Sequence, residues 1–227
     1  MDQISVSKSQ IDRLGDRLRE NVSTDDLRAL DAYRLSFTKA YHNVVSALAG
    51  LPGVEISGRP AKSTTAIVEK LRRETIRLSQ MQDIAGCRIV VPSIVQQDAL
   101  ADDLQRHFPH AEIVNRRHRP SNGYRAVHVI ISLEGRAVEV QFRTQLQHLW
   151  AELSEKFADL FGIAIKYGGG DREVRENLDL ISEAIEVLED LEIAPVVAPG
   201  TAKRLSELKE NLRKTLLARL KDVEFDQ

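Results

Sequence analysis

One cysteine in 227 residues, Cys87, excludes an intramolecular disulfide and any zinc site built from several cysteines. It sits in the apolar run 86–91 and reads as a buried spectator. No stretch approaches the length of a membrane span, and the opening MDQISVSKSQ lacks the apolar core of a signal peptide. The expected compartment is the cytoplasm, with no membrane contact. Charge of one sign is also missing: 32 Lys and Arg against 34 Asp and Glu leave a formal net charge of −2. The chain as a whole is therefore not a polyanion binder, and any nucleotide site must rest on a local basic patch. There is no internal repeat and no low-complexity tract. His148 and Glu152 stand at i, i+4 without a further histidine, which argues against zinc, and His42, His107, His110 and His118 show no partner pattern. What is present is the composition of a core-forming protein, 42% hydrophobic and 29% charged.

Hydrophobic spacing predicts helices over 9–20 and 25–49, a short extended piece at 54–57, and a basic helix over 64–78 carrying Lys70, Arg72, Arg73 and Arg77. Pro52 and Gly53, with Gly50, end the second helix. The run MQDIAGCRIVV closes as a buried strand, 95–107 is an amphipathic helix, and AEIVN is a further strand. The basic loop RRHRPSNG leads into two β-rich runs joined by Glu134-Gly135. Thr144 is a candidate N-cap for a helix whose Leu146, Leu149, Trp150, Leu153 and Phe157 share a face, so Trp150 reads as core. Helices over about 172–192 and 201–222 follow, separated by APVVAPG. The order implies an α+β fold: a mixed sheet of about five strands flanked by helices, with N-terminal helices over 1–49, a core over 50–165 and C-terminal helices over 166–227.

The two runs around Glu134-Gly135 carry the chemistry. If those two residues form a two-residue turn, His128 opposes Gln141 and Ala126 opposes Arg143. Alternation then gathers Tyr124, His128, Glu139, Gln141 and Arg143 on one face, and Val127, Val129, Ile131, Val138, Val140 and Phe142 on the other. The second set is a core face. The first is either a reaction surface or the solvated outside of an antiparallel sheet. Asp83, just before the other buried strand, supplies a second carboxylate amid many Arg and Lys. Two acidic groups among cations suit magnesium and nucleotide phosphates.

MQDIAGCRIV, NGYRAVH and VEVQFRT, in this order, resemble the synthetase domain of the RelA/SpoT family. Those enzymes move the β,γ-pyrophosphate of ATP onto the ribose 3′-hydroxyl of GDP or GTP. The resemblance covers roughly residues 50–165 and implies a nucleotidyltransferase-like synthetase domain acting as a Mg²⁺-dependent pyrophosphokinase. No segment resembles the family's His-Asp hydrolase domain, so a single-domain small synthetase is the expectation. The resemblance implies that Asp83 and Glu139 hold the metal and that Glu139 also takes the proton of the attacking hydroxyl. Gln141 and Arg143 would lie beside the transferred group. Arg59, Lys62, Lys70 and Arg88 would bind ATP, with Arg116 and Arg119 in a phosphate-contacting loop that also holds Arg117. Tyr124 would stack the acceptor base, with Asn122 and His128 beside it.

Two departures from the family pattern stand out, the first at Arg59 and the second bearing on the acceptor. RPAK has one residue more than the family's usual Arg-x-Lys, and RPSNGY has Pro120 where the family commonly has a lysine. A positive charge for a free nucleotide's 5′-diphosphate is missing. Two alternatives follow: a toxin that moves pyrophosphate onto the 3′ adenosine of tRNA or onto adenine nucleotides, and a non-catalytic nucleotide-binding assembly module. The toxin would have an antitoxin as partner. The apolar stripes of the last two helices, Leu180 to Leu191 and Leu205 to Leu220, serve either intramolecular packing or self-association.

Overall fold

The computed structural model describes residues 7–51, 55–194 and 200–225. Pro52, Gly53, Val54 and most of APVVAPG lie outside the described residues. The elements run α1 (Lys8–Glu20), α2 (Thr24–Leu35), α3 (Thr38–Ala49), β1 (Ile56–Arg59), α4 (Thr64–Arg73), β2 (Ala85–Val91), α5 (Ile94–His107), β3 (Glu112–Asn115), β4 (Val127–Leu133), β5 (Arg136–Thr144), α6 (Gln145–Phe161), α7 (Arg172–Glu192) and α8 (Thr201–Phe225). The strands form one mixed five-stranded sheet in the order β1-β2-β5-β4-β3. This is the α+β class expected from the sequence. No helix among the described residues is long and apolar enough to cross a membrane.

The hairpin forms as the two-residue turn requires. Glu134 (φ 51°) and Gly135 (φ 74°) both adopt positive φ, the backbone that matches the twist of the strands they join. Val127, Val129 and Ile131 are buried with Val138, Val140 and Phe142. The opposite face is not solvated: His128, Ile130 and Arg143 are buried, and Glu139 and Gln141 are half-buried.

The chain divides into two compact units, each of which takes part of the sheet. The first comprises Met1–Arg88, Leu104–Glu112 and Val129–Gln141, and the second Ile89–Asp103, Ile113–His128 and Phe142–Gln227. In the first, the single helix expected over 25–49 is two. The Ser36 hydroxyl donates to the Tyr33 carbonyl at 2.6 Å, and Arg136 Nε donates to Ser36 Oγ at 2.7 Å, which fixes a turn between α2 and α3. The basic helix also ends early, at Arg73, because Glu74 turns extended (φ −107°, ψ 144°). Arg19 of α1 then donates to the carbonyls of Leu71 (2.7 Å) and Ile76, so a cation terminates α4. In the second unit, Thr144 caps α6 as expected, accepting from the Gln147 amide at 3.2 Å. Trp150 is buried and donates to the Leu178 carbonyl at 2.8 Å, a core role. Ile185, Leu216 and Leu220 join Leu149, Trp150 and Leu153 in one apolar cluster, so much of the C-terminal stripes is used in packing. Leu180, Leu191 and Leu208 remain exposed.

Gly86 of β2 packs closely against the backbone of β5. A methyl group there would lie 2.6 Å from the Glu139 carbonyl oxygen, a backbone atom that cannot swing aside. Gly86→Ala should therefore destabilise the protein by about 1–3 kcal/mol. A lower denaturation midpoint in urea checks this, and an unchanged midpoint would contradict it.

Candidate active site

The residues singled out in the sequence fall into two groups, one in each unit. In the first unit the DIAG segment, 83–86, delivers Asp83 immediately before β2. The Lys62 amide donates to the Ile84 carbonyl at 2.6 Å, which pins the 60–63 loop to the same segment. Ser63 then caps α4, and Ile67, Val68 and Leu71 are buried, which leaves Lys70 half-buried at the edge of the helix. The outcome is a carboxylate shared by two ammonium groups. Lys62 Nζ lies 2.6 Å from Asp83 Oδ2, and Lys70 Nζ 3.0 Å from Oδ1.

The electrostatics of this trio are asymmetric. Burial opposes ionisation of Asp83, but Lys70 and Lys62 outweigh it and hold the carboxyl below its ordinary value of 3.8. Lys62 is also depressed below its ordinary value: burial costs its ammonium more than the Asp83 carboxylate returns, and Lys70 and Arg59 add repulsion. One carboxylate thus serves two ammonium groups, and the trio carries an excess positive charge in a half-buried setting. Such a setting favours an incoming anion.

Glu139 and Gln141, on β5, also belong to the first unit. Gln141 Nε2 donates to Glu139 Oε2 at 2.6 Å. Gly86 packs on the Glu139 backbone, and Cys87 is buried beside it. Burial first, and then the Glu139 charge, push the Cys87 thiol up to about 12, so it is inert as a nucleophile. Arg88 is half-buried on β2, and Arg59 is exposed at the end of β1. Carboxylate oxygens are the donor class that Mg²⁺ takes, so Asp83 and Glu139 fit that ion by chemistry. Both oxygens of Asp83 carry lysine hydrogen bonds here, so a metal at Asp83 would displace or share with an ammonium.

In the second unit, Ser121 and Tyr124 bridge across a tight turn, exchanging amide–carbonyl hydrogen bonds at 3.0 and 3.3 Å. Asn122 (φ 50°) and Gly123 (φ 80°) are its centre. The Asn-Gly dipeptide at the end of the basic loop is the sequence signal for this turn. The turn presents Tyr124, whose hydroxyl lies 2.9 Å from His128 Nε2 and accepts from Arg143 Nη2 at 3.0 Å. The Arg143 guanidinium carbon is 5.0 Å from the ring centroid, a cation–π contact. Three expected site residues are thus brought together, two of them, His128 and Arg143, buried. Asn122 is turned elsewhere: its amide donates to the Lys166 carbonyl at 3.3 Å. In the basic loop, Arg116 is half-buried and Arg119 exposed, while Arg117 is held by Asp98 at 2.6 Å.

Sequence reasoning gave no role to Arg125, which is buried with Ser182 and Glu186 as partners some 60 residues away in α7. It also missed the buried Glu189, which accepts from the Thr144 hydroxyl at 2.5 Å and from Gln147 Nε2 at 2.7 Å. Burial raises the Glu189 carboxyl above its ordinary value of 4.5, against those hydrogen bonds. Only the N-cap pattern at Thr144 was legible in advance.

The sheet, its flanking helices and the two residue groups define an α+β fold of the small-synthetase type. A solved structure of small alarmone synthetase 1 from Bacillus subtilis, bound to its product pppGpp, shares the fold with a TM-score of 0.55 at 24% identity, over 74% of this chain and 94% of that one. A family model described as a region found in RelA / SpoT proteins matches residues 58–162, and over that region the chain is similar to the RelA/SpoT family. An uncharacterized protein of Mycobacterium tuberculosis is 42% identical over 111 residues, 47% of this chain and 41% of that protein. A GTP pyrophosphokinase of Photobacterium angustum is 30% identical over 105 residues, 44% of this chain and 14% of that protein. The match therefore spans about two fifths of the mycobacterial relative and far less of the pyrophosphokinase.

The Asp83 trio makes a pH prediction. A carboxyl held below its ordinary value contributes stability that is fully present above pH 3.8 and is lost as pH falls through the folded value. The stability gap between wild type and Asp83→Asn should therefore narrow below pH 3.8. Urea unfolding at a series of pH values reads it, and a gap independent of pH would contradict it.

Proposed function

We propose that the protein transfers pyrophosphate from ATP to the 3′-hydroxyl of GDP or GTP, making ppGpp or pppGpp and releasing AMP. The observation that carries this reading is the Lys62–Asp83–Lys70 trio on the DIAG segment of a RelA/SpoT region. Its excess positive charge suits a polyphosphate, and the names of similar proteins, a GTP pyrophosphokinase and an alarmone synthetase bound to pppGpp, point to the same chemistry.

In this reading the ribose oxygen forms a bond to the β-phosphorus of ATP while the bond from that phosphorus to AMP breaks. AMP leaves with the electron pair, and Glu139 takes the hydroxyl proton. Gln141 keeps the Glu139 carboxylate oriented through its 2.6 Å hydrogen bond. Lys62 and Lys70 pass from Asp83 to the arriving phosphates, with Arg116 and Arg119 contributing charge, and Arg59 and Arg88 flank the adenine. Asp83 and Glu139 would hold Mg²⁺, which would supply charge neutralisation for the phosphates during transfer. Tyr124 stacks the acceptor base, its ring angle set by His128 and Arg143. No covalent intermediate is required, since catalysis of this class is positioning and electrostatics.

Pro120 favours a second reading, pyrophosphate transfer to the 3′ end of tRNA or to an adenine nucleotide, acceptors that need no lysine for a guanosine 5′-diphosphate. In that case an antitoxin is the natural partner. Self-association through α7 and α8, by way of exposed Leu180, Leu191 and Leu208, is compatible with either.

Labelled ATP offered with GDP, GTP, ATP and deacylated tRNA in parallel tests the proposal. Label should appear on the guanine nucleotides, and Glu139→Gln should reduce transfer by about 10²-fold or more, the scale of a lost general base. Label on tRNA alone would favour the second reading. Nucleotide binding without transfer to any acceptor would overturn both.

A further inference from the structure

We infer that helix α7 is a working part of the acceptor half, with Arg125, Ser182 and Glu186 acting as positioning residues that set acceptor affinity. The inference rests on the acceptor role given to Tyr124 above. Helix α7 lies beyond residues 58–162, so the family match does not include it.

The contacts are specific. Arg125 follows Tyr124 directly and is 5% exposed. Its Nε donates to Ser182 Oγ at 2.8 Å, its Nη2 to Glu186 Oε2 at 2.7 Å, and its Nη1 to the Arg117 carbonyl. Ser182, 2% exposed, passes its own proton to the Gly123 carbonyl at 2.7 Å. One hydroxyl therefore links the centre of the Asn122-Gly123 turn to the guanidinium of the next residue but one. The same guanidinium reaches the basic loop through Arg117, and His118 of that loop stands 3.8 Å from the other oxygen of Glu186.

Packing closes the turn from the other side. A methyl group on Gly123 would lie 2.6 Å from the Trp150 ring and 3.2 Å from Asp179, and Trp150 itself donates to Leu178 of α7. The turn that carries Tyr124 thus has little slack. Its carbonyl, its flanking guanidinium and its floor are all set by α7 or by a residue bonded to α7. Removing the Ser182 hydroxyl leaves the Gly123 carbonyl and the Arg125 Nε without that partner in a buried place, and the turn must shift to recover hydrogen bonds. A shift there moves the Tyr124 ring, the group given the acceptor role.

Ser182→Ala, Glu186→Ala and Glu186→Gln test the inference. Ser182→Ala and Glu186→Ala should raise the acceptor KM about tenfold, with kcat and the ATP KM within about threefold of wild type. Glu186→Gln retains an oxygen acceptor for Arg125 and should recover most of the affinity. Hydrogen exchange at residues 121–126 should speed up in both alanine variants while 136–144 stays protected. An unchanged acceptor KM, or an ATP KM that rises in parallel, would overturn the inference. If Ser182→Ala does not fold, the two Glu186 variants carry the test. If the wild type transfers pyrophosphate to no acceptor, the proposed function falls, and hydrogen exchange decides the inference alone: unchanged exchange at 121–126 refutes positioning by α7.

Discussion

The ion trio of Lys62, Asp83 and Lys70 is the interaction on which the first unit's chemistry depends. A half-buried carboxylate is costly unless paired, and here two ammonium groups pair it. The local fold serves this arrangement. The amide of Lys62 is tied to Ile84, Ser63 starts α4 one residue later, and the buried side of α4 orients Lys70. The N-terminal helices support it in turn, since Arg19 terminates α4 through the carbonyls of Leu71 and Ile76. The trio stays short of neutrality, and burial depresses Lys62 despite its carboxylate partner. A site in that condition gains from phosphate, which supplies the charge that Asp83 alone does not.

The second unit solves a different problem, holding an aromatic ring steady. Tyr124 is fixed at its hydroxyl by His128 and Arg143, across its ring by the Arg143 guanidinium, and at its backbone by a turn with two positive φ residues. Polar groups buried this deeply must find partners, and several come from α7. Arg125 meets Ser182 and Glu186, while Thr144 and Gln147 meet Glu189. Helix α7 is therefore bonded into the framework around Tyr124 and Thr144 and is more than apolar cover.

What could be read in advance follows the range of the interactions. The hairpin was legible because alternation and a Glu-Gly turn are local, and the φ values of Glu134 and Gly135 agree with it. Buried Cys87, core Trp150 and the Thr144 cap were legible for the same reason. The break between α2 and α3 was not, because it depends on Arg136 reaching Ser36 across 100 residues. Nor was the end of α4 at Arg73, which Arg19 secures. Among the candidate site residues, motif order brought out Asp83, Lys62 and Lys70, which do meet, and Tyr124, His128 and Arg143, which also meet. Asn122 was grouped with the acceptor residues, yet its amide is bonded to Lys166. Arg125 carries no local pattern that distinguishes it from a surface arginine, and only its partners in α7 show what it does.

The proposed reaction requires the trio's excess positive charge to receive the phosphates of ATP. Binding of an ATP analogue that cannot be cleaved between its α- and β-phosphates, measured by calorimetry at several salt concentrations, tests this most directly. Wild type should bind it, and Lys62→Ala and Lys70→Ala should each weaken binding at least tenfold and reduce its salt dependence. Equal affinity and salt dependence in wild type and both variants would contradict the account.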